Sequence, residues 1–293
     1  MAPSRPPRLL PRLAAALAGR RTRVESILAR SESLSSPAVL HDLRVALRRT
    51  AAVARLTRDF PAEGDSEALR VAARDLRRAL TGSRTREVAL RRLRARFRRD
   101  PSKRKTAMML AARLRGDGEE AVVGKAADAR LSALRRAFAW RDADLARLSP
   151  RLSGTVDSRT EKALRRMIER RLRRKRRRVL DAGVPTAESL HPLRIAAKDL
   201  RYSLELVVDV IPGAETLLRS LMSFQEAAGD AHDRAELIAE VRRLAGKCPP
   251  PLRREAMRLL PVLMRDAERA LSRAQASSRS LLRSLEKTEL KLA

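Results

Sequence analysis

The chain is predicted to be all-α, and three observations carry that assignment. Aromatic residues make up 2% of its 293 residues, while Ala, Leu and Arg, all strong helix formers, dominate. No segment alternates apolar and polar residues with the period of two that a half-buried strand requires. Apolar residues recur instead at helical spacing, most clearly from Leu190 to Ile211.

Start and stop signals set out the elements in order. After a proline-punctuated start, a helix is expected from Arg12 to Ser33. Ser36 and Pro37 supply a cap and a first-turn proline for a second, which carries His41 and ends before Pro61. A third begins near Ser66 and reaches Leu80. Thr81, Gly82 and Ser83 then turn the chain into a helix carrying Arg84, which stops at Asp100 and Pro101. Further helices fill Lys103 to Arg115 and Glu119 to Leu148. The stretch from Ser149-Pro150 to Gly154-Thr155 marks a boundary, giving an N-terminal lobe, 1–150, and a C-terminal lobe, 151–293. Beyond it a helix from Asp157 to Ala182 stops at Gly183-Val184-Pro185. The helix from Leu190 is expected to reach Pro212-Gly213, and two shorter helices to flank Gly229. The Lys247 to Pro251 segment breaks the chain before a last long helix that contains Pro261 and reaches the C-terminus. Each half holds the helices of a bundle.

Charge narrows the function. Lys and Arg number 66 against 35 Asp and Glu, a net charge of +31. A hydrophobic fraction of 44% is too high for a disordered basic tail, so the chain folds and presents a strongly positive field. Such a field calls for a polyanion: nucleic acid, polyphosphate or an acidic membrane. An arginine-biased composition explains bulk charge but not its placement. Cys248 stands alone, which fits a reducing compartment. The apolar run Leu13 to Ala18 is too short for a signal peptide, and no window approaches the length of a membrane span. A cytoplasmic protein is expected.

Placement is clearest after Leu190. At ~100° per residue, Leu190, Leu193, Ala197, Leu200, Leu204, Val208 and Ile211 form one apolar stripe. Ile195, Tyr202 and Leu206 form a second, narrower one. Between them run His191, Arg194, Lys198 and Arg201, at i, i+3, i+7 and i+10. Cations hemmed by apolar surface repel one another and are costly to desolvate unless anions meet them. Nearby carboxylates are few, Asp199 pointing elsewhere and Glu205 alone in range, so an external polyanion is expected. The device recurs 150 residues earlier, where His41, Arg44 and Arg48 repeat the spacing and Arg55 continues the strip. Leu40, Leu43, Leu47 and Ala54 repeat the apolar side, and Val45 matches Ile195. Two of the three histidines thus fall at equivalent positions, which points to a duplicated unit.

At these residues the chain resembles the CHAD (conserved histidine α-helical) domain family. LHPLRIAAKDLRYSLEL is similar to the family's His-x-x-Arg-x-x-x-Lys-x-x-Arg-Tyr signature, and LMSFQEAAGDAHDRAEL to its later segment, through Gln225, Gly229, His232 and Asp233. In the first half the family's Gly-x-x-Arg-Asp pattern reads Thr81, Gly82, Ser83, Arg84, Thr85, so Arg84 alone is kept. The resemblance implies two pseudo-symmetric helical bundles forming one domain that binds inorganic polyphosphate, often on polyphosphate granules. The polyphosphate-binding residues it suggests are His41, Arg44, Arg48, Arg55, Arg84, His191, Arg194, Lys198 and Arg201.

Other chemistries fit less well. Arg170 to Arg178 is the densest basic run, but on a helix it wraps all round and reads as solvated surface, with auxiliary polyanion contact as the other possibility. Gly118 to Lys125 lacks P-loop spacing, and Ala126 replaces the required hydroxyl. Three histidines and one distant cysteine give no metal spacing. EKTELK at Glu286 to Lys291 is not the Glu-x-Glu-x-Lys of triphosphatases. The expectation is a non-catalytic binder with no cofactor and no catalytic residue. Nonspecific DNA or RNA binding is the alternative, without stacking aromatics or a base-reading helix to support it.

Overall fold

Helices form where caps and prolines allow. The computed structural model describes residues 9–29, 37–58, 66–79, 82–116, 130–139 and 158–292, and no strand occurs among them. In order these give α1 (Leu9–Ala29), α2 (Pro37–Leu56), α3 (Ser66–Ala79), α4 (Gly82–Phe97), α5 (Pro101–Gly116), α6 (Ser158–Ala182), α7 (Leu190–Leu204), α8 (Ala214–Gly246) and α9 (Pro250–Lys287). Residues 130–139 are also helical, while the rest of the expected 119–148 helix and the expected boundary at 149–155 lie outside the described residues.

Local chemistry accounts for several of these ends. Pro101 opens α5, and Asp100 accepts from Ser102 Oγ at 2.7 Å and Lys103 N at 3.2 Å, capping it. Gly183 follows α6 with a φ of 60°, in the left-handed region that glycine enters without strain. Thr186 N donates to Ser189 Oγ and Ser189 N to Thr186 Oγ1, a reciprocal pair that closes the turn into α7. Pro261 lies inside α9 on an exposed turn, where water can meet the carbonyl its ring leaves unpaired.

Three expectations are corrected. The last helix ends at Lys287, short of the C-terminus, where Thr288 turns extended. The Leu190 helix ends at Leu204, not at Pro212, and a short 3-10 turn covers Val208–Val210. Four β-branched residues follow in quick succession, and Ile211, the residue before a proline, is extended at φ −124°. Gly229 does not divide its region, because α8 runs unbroken for 33 residues, about 50 Å. A single glycine costs a helix only ~1 kcal/mol, and packing along α9 outweighs that.

The interior consists of two apolar clusters. One joins α1, α2, α3 and residues Leu134 and Phe138 to α6, α7, the first half of α8 and the second half of α9. The other joins α4 and α5 to the end of α8 and the start of α9. Both clusters draw on both halves of the chain, and the long α8–α9 hairpin runs through the two. Each core contains its share of Leu, for example Leu43, Leu164, Leu200 and Leu221 in the first.

A polar knot ties α2, α6 and α7 together. Lys175 Nζ reaches Asp199 Oδ2 at 2.7 Å and Ser203 Oγ at 2.9 Å. Arg55 pairs with Asp199 Oδ1 at 2.8 Å, while Arg171 Nη1 donates to the carbonyls of Arg55 and Leu56, both at 2.6 Å, at the open end of α2. Burial pushes the Lys175 ammonium below its ordinary value, and Asp199 partly restores it. For Asp199, burial alone would raise the carboxyl, but Lys175 and Arg55 together hold it below the usual carboxylate range.

Removing one member of such a pair strands the others. Asp199→Ala is expected to cost about 2–4 kcal/mol in urea unfolding followed by circular dichroism, while Lys175→Met combined with Asp199→Ala should cost less than the two singles added. A loss below about 1 kcal/mol for Asp199→Ala would remove the knot from the account of stability.

Candidate functional site

The strip residues of α2 and α7 converge on one cleft. α2 contributes His41, Arg44, Val45 and Arg48, α7 contributes Arg194, Lys198, Arg201 and Tyr202, and the space between has a volume of about 830 Å³. α8 forms the facing wall with Met222, Gln225, Glu226, Gly229, Asp230, His232, Asp233 and Glu236, and α4 adds Arg92. The helices themselves explain the convergence. Leu40, Leu43 and Leu47 bury one side of α2, and Leu190, Leu193, Ala197 and Leu200 one side of α7, so each cation row is turned to the same side.

The two helices are joined by carboxylates of α7 and of the turn after it. Glu205 meets Arg49 of α2 at 3.3 Å and Arg201 at 3.3 Å, and Asp199 meets Arg55. Arg201 also stacks on Tyr202, its guanidinium carbon 4.7 Å from the ring centroid. Tyr202 is 4% exposed, so it is core on one side and floor of the cleft on the other. Arg44 is only 6% exposed, which fixes its guanidinium in the wall.

Not every predicted residue reaches the cleft. Arg55 is drawn into the knot with Asp199 and is absent from the lining. His191 sits at the edge, its ring centroid 4.9 Å from that of His232. Arg84 lies on α4, but its side chain is outside the described residues. Ile195 is 55% exposed, so the second apolar strip flanks the α7 cations through Tyr202 and Leu206, both buried, and is open to solvent at Ile195.

The largest departure is the facing wall. Sequence reasoning left the cations short of internal anions, yet α8 brings Glu226, Asp230, Asp233 and Glu236 to the cleft against five Arg and Lys side chains of α2 and α7. Arg92 joins them, reaching Asp230 Oδ1 at 2.7 Å and Asp233 Oδ2 at 3.1 Å. Asp230 also accepts from Arg234 and from Arg273, each at 3.0 Å. Burial would raise the Asp230 carboxyl, but these three guanidiniums outweigh it and hold it at about 2. His232 is lowered instead, first by burial and then by Arg194, with His191 adding to the effect and Glu236 and Asp233 opposing it. The cleft is therefore two-faced: a cationic wall from α2 and α7, and a wall of carboxylates and arginine from α8 and α4.

Arg92 carried no signal in the sequence, because nothing repeats around it and its place depends on how α4 crosses α8. Glu226, Asp230 and Asp233 could have been found, since they share one face of a helix once α8 is read as continuous. Among the described residues no group of three or more His, Cys, Asp or Glu side chains is placed to hold a metal, and no helix is long and apolar enough to cross a membrane.

Comparison with known proteins agrees with this architecture. No curated protein matches the chain. The crystal structure of the CHAD domain from the plant Ricinus communis matches with a TM-score of 0.64 at 19% identity, covering 100% of this chain and 97% of that one. PptA from Streptomyces chartreusis matches at 0.58 and 16% identity, covering 94% of this chain and 100% of that one. The sequence pattern of the CHAD domain matches residues 13–242. With that pattern over most of its length and this fold, the chain belongs to the CHAD-domain family.

Proposed function

We propose that the protein is a non-catalytic binder of inorganic polyphosphate, held along the cationic wall of the cleft. One observation carries this reading: helices 150 residues apart in sequence place Arg44 and Arg48 beside Arg194, Lys198 and Arg201 in one cleft. Polyphosphate binding is a general property of the family, whose members are generally binding domains. A phosphate chain is thin and charged at every unit, so it can follow a row of cations without meeting the carboxylates opposite. Arg serves by its two-pronged fork and Lys as a point charge. A wide polyanion would have to approach the wall of α8. Association with polyphosphate granules in the cytoplasm, and two lobes from a duplicated unit at 1–150 and 151–293, belong to the same reading. The pairing of 49 with 205 and 55 with 199 sets α2 and α7 in opposite senses, as a two-fold-related duplication would.

Binding should be electrostatic. Each neutralised phosphate releases condensed counterion, with a log–log slope of about −0.7 per contact for flexible strands. Six cations line the cleft, so about four to six contacts and a slope near −3 to −4 are expected from titration at several salt concentrations. A slope shallower than about −2 would count against the cleft. The polyphosphate should be recovered at full length.

The two helices should act as one site. Arg44→Glu with Arg48→Glu should weaken binding about as much as Arg194→Glu with Lys198→Glu, at least ~10-fold for either pair. Combining the pairs should depart from additivity, because one chain spans both. Arg174→Glu with Arg177→Glu changes net charge equally outside the cleft and serves as control, with circular dichroism confirming that each variant folds. If the control loses as much affinity as the cleft pairs, bulk charge is responsible and nonspecific nucleic-acid binding takes first place.

Acid should strengthen binding. In the free protein burial and Arg194 keep His232 below its ordinary value, hence neutral near pH 7. A polyanion reverses the local sign and raises that value, so protons are taken up on binding and affinity grows as pH falls from 8 to 6. Each half unit of rise is worth about threefold. Isothermal titration in two buffers of different ionisation enthalpy measures the uptake, which His232→Gln should abolish; unchanged uptake would exclude the histidine.

A further inference from the structure

Most cations of α6 fall into two sets. Its inner cations are engaged: Arg165 meets Glu161, Arg171 the carbonyls of α2, Lys175 Asp199, and Arg176 the carbonyl of Glu286. Its outer cations, Lys162, Arg166, Arg170, Arg173, Arg174 and Arg177, are all exposed. Carboxylates touch this set lightly, Glu169 meeting Arg173 at 3.2 Å and Asp181 meeting Arg177, itself 84% exposed, at 3.9 Å. At ~100° and 1.5 Å per residue the six fall within about 120° of arc and span about 23 Å. Nothing from α6 lines the cleft, so this row is a separate surface.

We infer that this outer arc is a second polyanion surface and that its ligand is double-stranded DNA, held by its phosphates without reading of bases. The arc is convex and stiff, unlike the cleft. A stiff row of charges is best met by phosphates already fixed in space, because a flexible chain pays conformational entropy to lie along it. Duplex DNA presents one charge per ~1.7 Å of axis, so about 23 Å of helix faces roughly a dozen phosphates, half of them on the near side. The arc has no aromatic residue on which single-stranded bases could stack. It has no large apolar residue to sink into a bilayer, Ala163 being the exposed apolar neighbour. It lacks Asn and Gln, and guanidiniums in a row favour phosphates over a particular sequence. The carboxylates of α8 meanwhile discourage a duplex from entering the cleft.

Two ligands and three charge-reversal pairs separate the surfaces. Fluorescence anisotropy with a labelled duplex of about 20 base pairs should give micromolar binding near 100 mM salt, in the range of nonspecific DNA contacts. Arg174→Glu with Arg177→Glu should weaken the duplex at least ~10-fold while polyphosphate affinity stays within about threefold. Arg194→Glu with Lys198→Glu should do the reverse. Arg254→Glu with Arg258→Glu, exposed on the opening turns of α9, matches the charge change and should move the duplex less than about threefold. Arg174→Lys with Arg177→Lys should keep the duplex bound, and circular dichroism checks folding throughout. The inference is overturned if the α9 pair weakens the duplex as much as the α6 pair, or if only the cleft pair does. It is equally overturned if the α6 pair releases phosphatidylserine vesicles and leaves the duplex bound. None of these outcomes touches the polyphosphate arm, which the cleft pair reads on its own.

Discussion

Two helices that each carry a row of cations can pack side by side only if some of that charge is neutralised at the contact. Asp199 on α7 and Glu205 just beyond its end do this, taking Arg55 and Arg49 from α2. Both carboxylates are partly screened from water, where an ion pair is stronger than on an open surface. The pairs also decide which cations are left to face the cleft. Arg44, Arg48, Arg194 and Lys198 turn toward it, while Arg55 and Arg49 are spent on holding the helices together. Lys175, brought in from α6, balances Asp199 further and fixes a third helix to the same point. The site and the fold thus share one set of ion pairs.

The sequence made the helices legible because their ends are written locally. Asp100 with Pro101, Gly183, and the Pro249 to Pro251 run each act within a few residues, by capping, by left-handed backbone or by removing a donor. Where tertiary packing overrides a local signal, reading fails. Gly229 is a poor helix residue, yet α9 packs along α8 on both sides of it. In the other direction, helical spacing carried the Leu190 stripe past Leu204, although Val207, Val208 and Val210 there favour extended backbone. A periodicity marks a face; it does not say where the helix stops.

The same distinction holds for the site. The two His-x-x-Arg strips are local patterns repeated at a distance, so both rows could be read, whereas their standing side by side on one wall opposite α8 could not. Arg92 reaches the cleft only because α4 crosses α8 there, and no spacing within α4 announces it, while the carboxylates of α8 share a face that shows only once that helix is read as unbroken through Gly229. Arg55 illustrates the converse: it continues the strip by spacing, but a neighbouring helix supplies a carboxylate that captures it. Position on a helix predicts direction, and the partner element decides what is found there.

Net charge is a poor guide to how this chain meets a polyanion, since +31 is compatible with almost any anionic partner. Shape discriminates further. In the cleft, cations on one wall confront Glu226, Asp230, Asp233 and Glu236 on the other, so an entering ligand gains by staying thin and keeping to one side. Among the described residues no wall opposes the arc on α6, and its exposed arginines stand along a convex rod whose other flank is fastened to Asp199, to the end of α2 and, through Glu161, to Leu9 of α1. A narrow flexible chain suits the first geometry and a broad rigid one the second. Charges of one sign, arranged on concave and convex surfaces of the same small fold, therefore select for different polymers even though the attraction itself is the same.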